Sequence, residues 1–373
     1  MNRRLSRACA AVAAVLVLTG CTSEPLGASA GEVTAASDTV VFDRSPTRFG
    51  DGLVAVRYPS AQSAELTFVV TDGERQWDAR TNPACTGFAV TRVDGEDLLV
   101  ILDSDAALHD GVIATETTAT AFHDDGAVAW GPVSVNGGLS DLGLITVEML
   151  GGTLTDEPAS GTALSQRTGK AIDLPATERP AYAHGGLLAS DTPTGVAVRD
   201  AAADGAPLLW KSEPEAPPGA SGPARVAADS TVPAGDVLVL EWPTADGVLV
   251  TVHRFDDGTF LATLPGTPAA RTLSTPAEDS VFFTTDTPTG RTVIAVSPSL
   301  GELWQDEVPS ASQPVSATTD SVWFTASSGY MRRDVDAAAF VDDPGPAPAL
   351  ALRSGAVLMA TTQATEFTLV PPP

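Results

Sequence analysis

Histidine is the side chain best suited to move protons or hold metals near neutral pH, and the chain has four: His109, His123, His184 and His253. They are scattered, without ligand spacing. His109 and His123 each precede an aspartate, which suits either a surface metal site or a solvated turn; the turn is the simpler reading. No HExxH, GxSxG or GxGxxG occurs, and Gly169-Lys170 is followed by Ala171, with Gly161 too distant for a phosphate loop. Asp-Gly pairs lack the alternating acidic ligands of a calcium loop. Beyond the N-terminal segment, Arg332-Arg333 is the one adjacent basic pair; it can bind a carboxylate or cover a sheet edge. No catalytic residue, metal ligand or cofactor-binding residue is assigned, and no cofactor is expected.

The first twenty residues combine a basic start (Arg3, Arg4, Arg7), an apolar run from Ala8 to Leu18, and small residues before Cys21. That run is about half of the roughly 20 residues needed to span a bilayer, so it reads as an export signal, residues 1–20. Leu18-Thr19-Gly20-Cys21 resembles the bacterial lipoprotein lipobox, which implies that the Cys21 thiol takes a lipid and becomes the mature N-terminus. Each buried acyl methylene contributes about 0.8 kcal/mol, enough over two or three chains to hold a domain at a membrane. Residues 21–36, rich in Ser, Ala, Gly, Thr and Glu, read as a flexible tether, and 37–373 as one folded domain. With Cys9 lost and Cys21 acylated, Cys85 stands alone. It has no disulfide partner and reads as a small buried apolar residue rather than a reactive thiol.

The chain carries 21 basic and 47 acidic residues. Without the three signal arginines, 18 basic residues face 47 acidic ones, a net charge of −29. Such a surface repels nucleic acid and anionic headgroups. The Ala-, Gly-, Asp- and Thr-rich, Lys-poor composition suggests a high-GC Gram-positive source, hence the outer face of the plasma membrane, with a Gram-negative periplasm as the alternative.

The elements that would position any site are strands. β-Branched or alternating apolar segments are separated by eight Asp-Gly pairs and other Gly or Pro turns, and no long segment keeps a helical period. A unit of two apolar strands and a short third, often ending in Trp, recurs. Its copies are Gly52–Trp77, Gly111–Trp130, Gly143–Ile172, Gly186–Trp210, Asp236–Phe260, Ser280–Trp304, Ser321–Phe340 and a shortened Gly355–Val370. Starts roughly 30 to 60 residues apart suit propeller blades. The expectation is an all-β protein, a single β-propeller of eight blades. Seven remain possible, because the hairpin Gly87–Ser104 fits the repeat poorly. The lone strand Thr39–Phe42 would pair with the truncated last unit and close the ring.

The skeleton of Ala, Gly and Trp in Ala121–Trp130, Ala197–Trp210 and Ala295–Trp304 resembles the repeats of quinoprotein-like (PQQ-like) β-propellers. The resemblance implies that Trp77, Trp130, Trp210 and Trp304 pack between blades, with Phe260 as a stand-in. The quinone site of that family needs an adjacent-cysteine disulfide and a Glu/Asn/Asp calcium set, so the resemblance implies the fold without the cofactor. It points to the non-enzymatic branch of lipoprotein propellers that act as scaffold factors at bacterial membranes. The expected function is binding or scaffolding toward a cell-envelope protein partner. The alternative is a degenerate quinoprotein or carbohydrate-active enzyme, which needs carboxylates converging in the central channel.

Overall fold

The computed structural model describes residues 28–35, 39–42, 45–57, 66–81, 87–104, 116–147, 161–213, 216–227, 235–269, 272–287, 290–360 and 366–371. Among these the regular elements are 33 short strands, without an α-helix. They pair antiparallel into eight sheets in a ring, an eight-bladed β-propeller.

Blades 1 to 7 run outward from the central axis in chain order, and blade 8 is completed by a strand from the N-terminus. Blade 1 comprises Thr47–Phe49, Gly52–Arg57, Leu66–Thr71 and Arg75–Thr81, and blade 2 comprises Phe88–Val93, Glu96–Ser104, Thr117–Phe122 and Val128–Val135. Blade 3 is thin: Gly138–Leu139, Ile145–Val147 and Gly161–Ala163. Blade 4 is Arg179–His184, Leu187–Thr192, Gly195–Asp200 and Leu208–Lys211; blade 5 is Arg225–Val226, Val237–Thr244, Gly247–Arg254 and Phe260–Leu264. Blade 6 is Leu273–Ser274, Val281–Thr287, Gly290–Ser297 and Gly301–Val308; blade 7 is Pro314–Ala317, Ser321–Ala326, Gly329–Asp334 and Val341–Asp343. Blade 8 takes Leu350–Ala351, Val357–Ala360 and Glu366–Val370 from the C-terminus and Thr39–Val41 from the N-terminus.

That last pairing aligns Val40 with Phe367 and closes the ring as expected, covering an edge that would otherwise template association. The awkward hairpin Gly87–Ser104 supplies the two inner strands of blade 2, so eight blades rather than seven result. Part of the stretch read as a tether is also paired: Ser29–Ala30 and Thr34–Ala35 lie along the outer strand of blade 1. Residues this small let the backbone approach an open edge closely, which composition alone reads as flexibility.

The apolar runs are continuous because both faces of each sheet are covered. In Val237–Thr244, Val237 and Val239 pack against Val281, Phe283 and Ile294 of blade 6. Their neighbours Leu238 and Leu240 turn the other way, toward Tyr182, Ala189 and Val198 of blade 4. Blade 1 does the same, Val54 and Val56 facing blade 2 while Leu53 and Ala55 face blade 8. The core is therefore a set of clusters between blades, each depending on a neighbour.

The four tryptophans share one geometry. Each indole Nε1 donates to a backbone carbonyl in the next blade: Trp77 to Asp124 at 2.8 Å, Trp130 to Gln166 at 2.9 Å, Trp210 to Phe255 at 2.8 Å and Trp304 to Val335 at 3.0 Å. Each ring also lies by the residue two before that carbonyl: Phe122, Leu164, His253 or Arg333. Beneath Trp210 the turn passes through Gly258 at φ 75°, where a Cβ would sit 2.7 Å from the ring. Phe260 is not an equivalent of these tryptophans. The bulge in the outer strand pair is shared with the blades of Trp130, Trp210 and Trp304, and at the position those tryptophans take blade 5 has Ala262, opposite Val252; Phe260 pairs with His253 as Leu208 pairs with Arg199, and stays 53% exposed.

Candidate functional site

The charged residues nearest the axis come from the turns joining each blade's first and second strands, or from the strand ends beside them. Blade 1 contributes Arg48, blade 2 Arg92 and Asp97, blade 4 His184 and blade 5 Asp236. Blade 6 contributes Ser274, Thr275 and Glu278, and blade 8 contributes Arg353. Residues up to 256 positions apart thereby meet.

Glu278 is the hub. Its side chain is only 5% exposed, in a turn that places it at φ 62°. Oε1 accepts from Arg92 Nη2 at 3.2 Å and Arg353 Nη2 at 3.4 Å, while Oε2 lies 3.4 Å from His184 Nε2. Both arginines also hold Asp97, Arg92 Nε donating to Oδ1 at 2.9 Å and Arg353 Nη1 to Oδ2 at 2.8 Å. Across the ring Arg48 donates to the Ser274 and Thr275 carbonyls. Among the described residues, those at the centre of the ring are thus joined by ion pairs and charge-assisted hydrogen bonds.

Two carboxylates here titrate in opposite directions. Burial raises Glu278, but the hydrogen bond with His184 and the charges of His184, Arg92 and Arg353 overcome it and hold the carboxyl below its ordinary value. Asp236 is the solvent-facing member, yet partial desolvation and then the negative charge of Glu278 raise it. His184, Asp236 and Glu278 offer ligand atoms that all lie within 4.8 Å of one another, a grouping that could hold a metal ion.

Beside the cluster a cleft of about 420 Å³ opens between blades 1, 2 and 8, with Asp97 and Arg353 at its floor and Asp51, Glu96, Asp124 and Asp125 around it. His123 joins its wall, Nδ1 3.6 Å from Glu96.

The other histidines differ. His253 is buried inside blade 5, between the Thr251 hydroxyl at 2.9 Å and the Gly258 carbonyl at 3.0 Å, stacked on Trp210. His109, Cys9, Cys21 and Cys85 lie outside the described residues. Arg333 lies 3.7 Å over the Trp304 ring and pairs with Asp306, joining blades 6 and 7, and Arg332 pairs with Asp334 and Asp343. Lone His184 and Asp236, and Glu278 in its turn, carried no signal in the sequence, because their proximity comes from the way blades 4, 5 and 6 converge at the axis.

No family model matches the chain, and no curated protein does. Among solved structures, the fold is similar to BamB from Moraxella catarrhalis, at 14% identity and a TM-score of 0.45, over 91% of this chain and all of that one. The Dos1 propeller matches at 9% identity and a TM-score of 0.39, over 86% and 89% of the two chains. Prolyl oligopeptidase B from Galerina marginata matches at 14% and 0.34, over 77% of this chain and 37% of that one.

Proposed function

We propose that the protein is an extracytoplasmic binding module, anchored through lipid on Cys21 to the outer face of the plasma membrane, that docks a protein partner of the cell envelope. The supporting observation is that Asp97 and Glu278, the buried carboxylates of the ring centre, are already neutralised by Arg92 and Arg353. Glu278, held below its ordinary value, is a poor proton donor, so recognition falls to the surface around the centre. There the acidic cleft of Asp51, Glu96, Asp124 and Asp125 complements a basic segment. Trp77, Trp130, Trp210 and Trp304 serve as interblade staples that keep this surface rigid, outside the binding site itself.

Purifying the tagged full-length lipoprotein from solubilised membranes tests the reading. A stoichiometric partner should co-purify, be released by high salt, and be lost with the double variant Asp124→Asn/Asp125→Asn. Cys21→Ser should move the protein from the membrane to the soluble fraction. Recovery of the protein alone, with turnover of a sugar or alcohol, overturns scaffolding. It would favour the enzyme reading, to which the opposite shifts of Asp236 and Glu278 lend support as an acid and base pair.

A further inference from the structure

The geometry points to a divalent transition-metal site of the zinc type at the ring centre, formed by His184 Nε2, a carboxylate oxygen of Asp236 and Glu278 Oε2, with a fourth position open to water. These residues come from three consecutive blades, 4, 5 and 6, and their ligand atoms all lie within 4.8 Å of one another. The separation of His184 Nε2 and Glu278 Oε2 is 3.4 Å. Two ligands of a tetrahedral zinc, each about 2.0–2.1 Å from the metal, stand about 3.3 Å apart. The pair is thus already spaced as two ligands of one metal ion would be.

The surroundings support the same assignment. Arg92 and Arg353 occupy Glu278 Oε1, fixing the carboxylate from behind and leaving Oε2 turned to the imidazole. Asp236 accepts no side-chain hydrogen bond among the described residues, and being exposed it gives a metal ion a path inward and can rotate to close the triad. A cation at the common centre also relieves the repulsion between the two carboxylates. An imidazole among oxygen ligands suits zinc or a neighbouring transition metal better than calcium or magnesium. The site is independent of lipidation and of the envelope partner.

Full-length protein in detergent, stripped by a chelator, is titrated with Zn²⁺ by calorimetry and with Co²⁺ by visible absorption. One equivalent per chain should bind, with the cobalt spectrum of a four-coordinate site. His184→Ala and Asp236→Asn should each weaken binding at least about tenfold. The zinc-induced rise in Tm should shrink in both, and Asp236→Asn, at the exposed position, should keep its metal-free Tm near that of the parent. His123→Ala, in the neighbouring acidic cleft, should bind as the parent does. Sub-stoichiometric binding, unchanged affinity in His184→Ala and Asp236→Asn, or loss of binding in His123→Ala overturns the assignment.

Discussion

An indole in this ring does two things that a phenyl cannot do together: it fills the seam between blades and donates a hydrogen bond across it. Trp210→Phe keeps most of the apolar contact but strands the Phe255 carbonyl, and should lower the free energy of unfolding by about 1–2 kcal/mol in urea titration. The equivalent loss is expected at Trp77, where Asp124 is the acceptor. Gly258→Ala should cost as much or more, because the new methyl meets Trp210 and the backbone is at positive φ. Asp72 shows the same economy in a turn. Burial would raise it, but the Arg75 and Glu74 amides and the Arg75 guanidinium hold it below its ordinary value. Its folded-state value being depressed, its contribution is complete above the unfolded value of 3.8 and is lost as pH falls through the lower, folded one. Asp72→Asn should therefore differ from the parent by less than about 1 kcal/mol at neutral pH and converge with it as pH falls below the depressed folded-state value, as followed by denaturation at each pH.

Blades are units that cannot stand alone, since each apolar strand has two faces and its own sheet covers neither. The residue alternation in Val237–Thr244, odd positions toward blade 6 and even positions toward blade 4, is why the sequence reads as an unbroken apolar run there. The repeat was legible from such runs and from the terminal tryptophans. Blade 2 was not, since its inner hairpin ends well before the segment carrying Trp130 and the two look unrelated along the chain. Phe260 was misplaced for a related reason: with the same bulge as in blades 2, 4 and 6, the tryptophan position in blade 5 falls on Ala262, two residues beyond the aromatic that stands out in the sequence. Removal of residues 39–42 would leave the edge of Glu366–Val370 open and strip Phe42 from its contact with Phe367. The truncated protein should unfold at lower denaturant and associate through that edge, which sedimentation velocity would register as a concentration-dependent shift to larger species.

The whole molecule sets opposite electrostatics at its surface and its centre. With 47 acidic and 21 basic residues it repels itself outwardly, so raising salt from about 10 mM to about 0.5 M should raise Tm by screening. The central pairs of Arg92, Arg353, Asp97 and Glu278 are largely shielded from that screening. Arg353→Met leaves Asp97 and Glu278 each short of a partner, and its destabilisation, about 1–3 kcal/mol, should persist at high salt.

Composition, turn dipeptides and repeated apolar strands were enough to specify a closed ring of eight or seven blades, because those features follow from local periodicity and from the need to cover two faces of every sheet; the pairing of Gly87–Ser104 into blade 2 decided eight. The convergence of Arg92, Asp97, His184, Asp236, Glu278 and Arg353 was decided only when the ring closed. Each is an ordinary turn residue in its own blade, and nothing in the spacing of charges along the chain encodes which turns will face one another across the axis.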